Sequence, residues 1–273
     1  MATRYAYSID LDRCIGCQAC TVACKTGNEV SLTDTYITVT DIVRGQSPNF
    51  WGSFAHHRCF HCGDAPCVAV CPTGTLTKWN GLTMVEPEKC SACGYCTDAC
   101  PFQVPHIYEN HVSKCIGCLE LVKDGGTPWC ATTCPSQAIK FGDREKILAD
   151  IKARLPHVQA RFPNAQLYGE SPLGGLGLIT LLLDKPSVDG LPDDPQMPLT
   201  LNTWQKVVQP ASVGLTLTAI AVTGLSYIIA RRQHLREKAE MHSAEVHPER
   251  TLSEQSEAQR ESKDAQSKEK DND

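Results

Sequence analysis

The sequence predicts an α+β protein made of two cysteine-rich modules, one nested in the other, followed by one C-terminal membrane-spanning helix. Three observations predict it. All sixteen cysteines of the 273 residues fall into four groups of four. Segments flanking those groups repeat along the chain. Residues 211–230 carry no charge.

The first group is Cys14, Cys17, Cys20 and Cys24; the second is Cys59, Cys62, Cys67 and Cys71. The third is Cys90, Cys93, Cys96 and Cys100; the fourth is Cys115, Cys118, Cys130 and Cys134. Groups one and three read C-x2-C-x2-C-x3-C, the bacterial ferredoxin run that holds [4Fe-4S] cubanes, so iron bound by the sixteen thiolates is expected. A cubane needs four thiolates at the corners of a tetrahedron. Three come from one tight loop, and in two-cluster ferredoxins the last cysteine of each run serves the other cluster. Gly16, Ala19, Gly63, Ala92, Gly94 and Gly117 are small, which lets backbone N–H groups approach sulfur. Pro72, Pro101 and Pro135 follow Cys71, Cys100 and Cys134, whereas Lys25 follows Cys24 and is expected to raise the local potential.

Other readings compete. Cysteines two residues apart make poor structural disulfides, and their spacing here is too regular for a bridge framework. Zinc sites use two separated C-x2-C pairs, whereas here three cysteines fall within seven residues, twice. A zinc-stabilised scaffold stands as the distant alternative. No C-x-x-C is followed by histidine, as c-type haem requires. His56, His57 and His61 flank group two, but the thiolate count is complete without them, so they read as supporting or surface residues.

The duplication gives a pairing. Residues 9–14 are echoed by 85–90, and residues 71–76 by 134–139. Each module begins with a strand into a full run and ends with a cysteine–proline step and a strand out. Residues 1–30 and 105–165 form the outer ferredoxin-like module, pairing groups one and four; residues 31–104 form the inserted inner module, pairing groups two and three. Cluster one takes Cys14, Cys17, Cys20 and Cys134. Cluster two takes Cys24, Cys115, Cys118 and Cys130. Cluster three takes Cys59, Cys62, Cys67 and Cys100. Cluster four takes Cys71, Cys90, Cys93 and Cys96. Much of the interior is then cluster rather than apolar core, and folding is coupled to cluster insertion.

Residues 35–43 alternate and are rich in β-branched side chains, which predicts a β insertion. Residues 82–85 and 138–141 also read as extended. Asp143 is placed to cap a helix carrying Ile147, Leu148, Ile151 and Leu155, ending before Pro156. Residues 174–183 are apolar but too short to span a bilayer, so a buried strand is expected. As a whole, 166–204 reads as an extended linker and docking segment, with four prolines between 184 and 198.

The span is drawn over 205–232. Its uncharged twenty residues, at about 1.5 Å each, match one hydrocarbon thickness of about 30 Å. Trp204 and Tyr227 suit the two interfaces. Ser212, Gly214, Thr216, Thr218, Thr223, Gly224 and Ser226 suit packing against other membrane helices. Arg231, Arg232, Arg236 and Lys238 follow the uncharged stretch 211–230, while only Lys206 precedes it back to Gly190. The positive-inside rule puts the C-terminus in the cytoplasm and the cluster domain in the periplasm of an inner membrane. The N-terminus carries no apolar signal core, so export in the folded state with a signal-bearing partner is expected. Residues 233–273 read as a disordered charged tail. A net charge of −5 gives no case for nucleic acid.

The four-group pattern, with C-x2-C-x11-C-x3-C at its end, resembles the iron–sulfur subunits of molybdopterin oxidoreductases. The glycine-rich run 174–183, Asp184-Lys185-Pro186, Gly190-Leu191-Pro192, and then Trp204, Lys206 and Pro210 before one span are similar to the beta-subunit family of respiratory formate dehydrogenase-N. Nitrate reductase beta subunits replace one cysteine with tryptophan, and all sixteen are present here. Iron–sulfur subunits of dimethyl sulfoxide reductases usually lack the anchor. The resemblance implies four [4Fe-4S] clusters and a catalytic molybdopterin subunit that oxidises formate at molybdenum or tungsten. It also implies an integral cytochrome b-type subunit in the lipid that passes electrons to quinone. Cluster one would lie towards the catalytic subunit and cluster four towards the membrane. No nucleophile, base or pterin-binding feature suggests a substrate-converting site of the chain's own. The same relay in another molybdoenzyme or a membrane hydrogenase is the alternative. A brown protein whose broad visible absorbance bleaches with dithionite is expected; a colourless, zinc-loaded chain would contradict the cluster reading.

Overall fold

The structure is a computed structural model that describes residues 4–198, 203, 208–246, 256–257 and 259–260. It divides into two units, Met1–Thr203 and Trp204–Asp273.

The first unit is α+β and is organised by a four-stranded sheet of order β8-β1-β10-β9. Strand β1 (Tyr5–Asp10) pairs antiparallel with β8 (Ile139–Asp143), with Tyr7 opposite Phe141. On its other edge β1 runs parallel to β10 (Leu178–Leu182), with Ile9 opposite Thr180. Strand β9 (Gln166–Tyr168) closes the sheet antiparallel to β10. All of β10 is buried, which is why it reads as an unbroken apolar run rather than an alternating one.

Helix α6 (Arg144–Gln159) covers this sheet with Ile147, Leu148, Ile151 and Val158 buried. The Asp143 carboxylate accepts hydrogen bonds from the backbone N–H of Glu145 at 3.1 Å and Lys146 at 3.3 Å. The helix does not stop before Pro156. The proline removes one ladder bond, but buried Val158 and an Ala160 N–H bond to the Pro156 carbonyl at 3.2 Å keep the last turn closed.

Three hairpins carry the rest: β2 (Ile37–Gln46) with β3 (Asn49–Arg58), β4 (Leu76–Trp79) with β5 (Leu82–Val85), and β6 (His106–Tyr108) with β7 (His111–Ser113). Five short helices follow or lie within the cysteine groups: α1 (Ala19–Gly27), α2 (Pro66–Ala69), α3 (Tyr95–Ala99), α4 (Leu119–Lys123) and α5 (Trp129–Thr132). Strands β1 and β5 lead into groups one and three, while β4 and β8 lead out of groups two and four. Helix α1 packs on α5, and α2 on α3.

Two expectations are corrected. Segment 166–204 is not a linker: β9 and β10 lie in the central sheet, the Tyr168 hydroxyl donates to the Pro192 carbonyl at 2.7 Å, and Asp189 forms a buried ion pair with Arg44 of β2. Its prolines and aspartates look like linker composition, yet they are tied down by partners distant in sequence. The interior also holds more than clusters, because an apolar core of Ala6, Ile9, Leu176, Ile179 and Leu181 runs along the sheet.

In the second unit, α7 (Gln209–Val246) is one helix, and the residues of its apolar stretch are exposed. Thr216 and Thr223 donate their hydroxyls to the carbonyls of Ser212 and Ala219 at 2.8 and 2.9 Å, so these polar groups are satisfied inside the helix. The helix runs past the span to Val246, so residues 233–246 are helical rather than a structureless tail. Mixed charge there is compatible with a solvated helix as well as with disorder. Trp204, Lys206 and most of the tail from 247 onward lie outside the described residues.

Asp143→Ala removes the α6 cap. It is expected to cost about 0.5–2 kcal/mol and to speed amide exchange at Glu145 and Lys146; unchanged exchange at both would contradict the cap's role.

Candidate metal centres

Each cysteine group opens on the same backbone turn. The residue two beyond the first cysteine is left-handed every time: Gly16 at φ 65°, His61 at 46°, Ala92 at 52° and Gly117 at 71°. This conformation turns its own N–H back on the first sulfur, as in His61 to Cys59 Sγ and Ala92 to Cys90 Sγ, both 3.4 Å. Two of the four turns use a residue other than glycine, at a steric cost. At Gly16 glycine is required twice over, because a Cβ would also lie 2.2 Å from the Phe54 ring of β3.

The sixteen thiols are all free. They gather in four sets. Cys14, Cys17, Cys20 and Cys134 line one cavity, and Cys71, Cys90, Cys93 and Cys96 line another. Cys24 lies close enough to Cys115, Cys130 and Cys118 for their charges to interact, and Cys62 likewise to Cys59, Cys67 and Cys100. Burial, reinforced by the neighbouring thiols, pushes Cys24 and Cys62 up and takes Cys67 up to about 12. Packing thiolates together in a dry interior is unfavourable unless a cation replaces their protons.

Among the described residues, no three His, Cys, Asp or Glu side chains converge closely enough to hold a single ion. The first two of these sets ring cavities, the arrangement that a cubane needs. The polar surroundings fit it too. Arg58 is 1% exposed, and its Nη1 and Nη2 lie 3.4 and 3.5 Å from Cys130 Sγ. Buried Lys114 donates from Nζ to the carbonyls of Thr83 and Cys115, both at 2.9 Å. Lys78 donates to the Cys62 carbonyl at 2.6 Å, and burial pulls it down to about 8 against the upward pull of Cys59 and Cys62. Nε of Arg58 and Nε2 of His61 are buried without a protein partner among the described residues, donors of the kind a cubane's sulfides accept.

The histidines separate. His56 Nε2 lies 3.2 Å from Cys14 Sγ, and burial, aided by Arg58, pushes its pKa down to about 4, so it meets the sulfur as a neutral ring. His61 is fully buried, with Nδ1 accepting the Thr83 N–H at 3.0 Å; burial first and Lys114 next keep it neutral. His57 is exposed. Lys25 does not face the thiols: its Nζ donates to the carbonyls of Leu32 and Asp34 at 2.7 and 2.6 Å, which corrects the expectation that it tunes a potential. Sequence reasoning missed Arg58, Lys78 and Lys114. The one signal for Arg58 was its place beside Cys59 at the end of an alternating strand.

Comparison with known proteins identifies the kind of group these cysteines hold. Two family models, each described as a 4Fe-4S dicluster domain, match residues 13–76 and 50–144. Two dicluster domains and sixteen cysteines account for four [4Fe-4S] clusters. The chain is 29% identical over 262 residues to a formate dehydrogenase iron–sulfur subunit of Haemophilus influenzae, covering 87% of this chain and 84% of the relative. It is 33% identical over 238 residues to the formate dehydrogenase-O iron–sulfur subunit of Escherichia coli, covering 78% and 79%. It is also 39% identical over 148 residues to a thiosulfate reductase electron transfer subunit of Salmonella typhi, covering 52% and 77%.

Stripping iron with a chelator leaves Arg58 buried without its counter-charge, a state that costs several kcal/mol. Near-UV circular dichroism is expected to collapse on chelation; a cooperative native-like melt of the iron-free chain would contradict this.

Proposed function

This chain belongs to the iron–sulfur subunits of formate dehydrogenase type, and on that premise we propose that it relays electrons from a catalytic molybdopterin subunit to a cytochrome b-type subunit and quinone in the membrane. The clusters supply one-electron redox chemistry. The chain's residues hold them, insulate them and set their order.

The ligand sets of this reading are Cys14, Cys17, Cys20 and Cys134; Cys24, Cys115, Cys118 and Cys130; Cys59, Cys62, Cys67 and Cys100; and Cys71, Cys90, Cys93 and Cys96. They correspond to two nested modules, a reading supported by α1 packing on α5 and α2 on α3. One observation carries the relay. Cys17 and Cys93, in the first and fourth sets, are the two exposed cysteines, whereas every cysteine of the second set is buried, as are three of the third. Neighbouring charges order the sets: Cys20 lies near Cys130, Lys114 bridges the Cys115 carbonyl and the field of Cys67, and Cys67 lies near Cys96. Electrons cross a shielded middle between two surface ends.

The first end faces the catalytic subunit and the fourth the membrane. Helix α7 anchors the chain in the inner membrane, its small residues Gly214 and Gly224 facing partner helices, with Arg231 and Arg232 in the cytoplasm and the cluster domain in the periplasm. The likeness to a thiosulfate reductase electron transfer subunit favours one second reading, the same relay beside another molybdoenzyme.

Two measurements test the reading. Purification in mild detergent is expected to bring down a pterin subunit with formate activity and a b-type haem; a hydrogenase in their place would contradict it. Cys134→Ser is expected to perturb one cluster's EPR signal and spare those of the third and fourth sets, and loss of a signal from either of those would reject the ligand sets.

A further inference from the structure

We propose that Arg58 sets the reduction potential of the second cluster: its guanidinium, bonded to the sulfurs of Cys130 and Cys115, selectively stabilises the reduced form held there. This rests on the ligand set Cys24, Cys115, Cys118 and Cys130 given above.

Arg58 ends β3, and its side chain enters the interior between the central sheet and group four. Nη1 and Nη2 reach Cys130 Sγ at 3.4 and 3.5 Å, Nη2 lies 3.9 Å from Cys115 Sγ, and the guanidinium carbon sits 4.8 Å from the centre of the Tyr7 ring. No ion pair to a carboxylate among the described residues involves Arg58. A fully buried guanidinium whose side-chain acceptors among the described residues are thiolates is costly to keep unless those thiolates carry charge that needs it. Packing alone does not call for a cation here, since an apolar side chain covers the Tyr7 ring equally well.

Reduction of this set adds one electron, which the neighbouring set loses; no bond forms and no proton moves. The set becomes more negative by one unit while the guanidinium stays at plus one. The attraction therefore grows on reduction, in a dry interior where water screens little. Arginine suits the task because it keeps its charge throughout and offers two donors in a fixed fork. Lys25, next to Cys24, points away to loop carbonyls, and Lys114, next to Cys115, donates to the carbonyls of Thr83 and Cys115 and not to sulfur, so among the described residues Arg58 is the cation bonded to the sulfurs of this set.

The test is a potentiometric EPR titration of the full chain, loaded with iron and sulfide anaerobically. Cys24→Ser and Cys115→Ser identify the signal of the second set. In Arg58→Gln, the one-electron equilibrium of that signal is expected to move at least tenfold towards oxidation, a midpoint lower by about 59 mV or more. Arg58→Lys is expected to stay within threefold of the parent. A shift under tenfold in Arg58→Gln, or an equal shift in Arg58→Lys, overturns the proposal. Should Arg58→Gln shed this cluster, retention by Arg58→Lys supports a requirement for charge, and loss in both shows that shape is what matters and ends the proposal. If the two cysteine variants alter different signals, the ligand set itself is wrong. If they alter the same signal and Arg58→Gln leaves its midpoint in place, the ligand set stands and the role of Arg58 alone falls.

Discussion

Buried thiolates and buried cations depend on one another throughout this molecule. Sulfur ligands are drawn into a dry interior, where each pays for its negative charge in lost hydration. Iron removes most of that cost, and Arg58, Lys78 and Lys114 meet what is left. The same three cations are unfavourable in an iron-free interior. Each half of the arrangement is costly without the other, so cofactor loading is expected to be coupled to folding.

The backbone makes this compatible with a small domain. Four copies of one left-handed turn open the groups, and in the first three the leading sulfur meets its own loop amide. Each turn is followed by a short helix or leads to a hairpin, and cysteines distant in sequence come near one another, as Cys134 does to Cys14 and Cys100 to Cys59. The central sheet closes the circuit. Strand β1 enters group one, β8 leaves group four, and β10, from well beyond the last cysteine, lies beside β1. Apolar packing along β10 and α6 thus holds the ends of the cysteine-rich region together, which loops wrapped on clusters could not do unaided.

Legibility in the sequence followed the range of the interaction. Cysteine spacing is local, and the four sequence groups, each opening on its left-handed turn, could be read from it, because the turns demand fixed short intervals. The strands at 82–85 and 138–141 and the Asp143 cap were equally local, and each lies where its pattern suggests. Long-range partners were not legible. Asp189 has the surroundings of a linker in sequence and the surroundings of a core in space, because Arg44 lies beside it; Arg58 reads as an ordinary strand-end cation until the fold brings group four against it. Lys25 misleads for the converse reason: adjacency in sequence suggests adjacency to sulfur, whereas α1 directs it to the loop at 32–34. Beyond the span, charge composition does not separate a solvated helix from a coil, and α7 runs on to Val246.

The central claim is that these thiols hold inorganic cubanes in a connected row. Iron and acid-labile sulfide counted per polypeptide in the anaerobically loaded full chain test it most directly. About sixteen of each is the expected result for four cubanes, with magnetically interacting signals on reduction. Far less iron, zinc in its place, or no paramagnetism after reduction would contradict it.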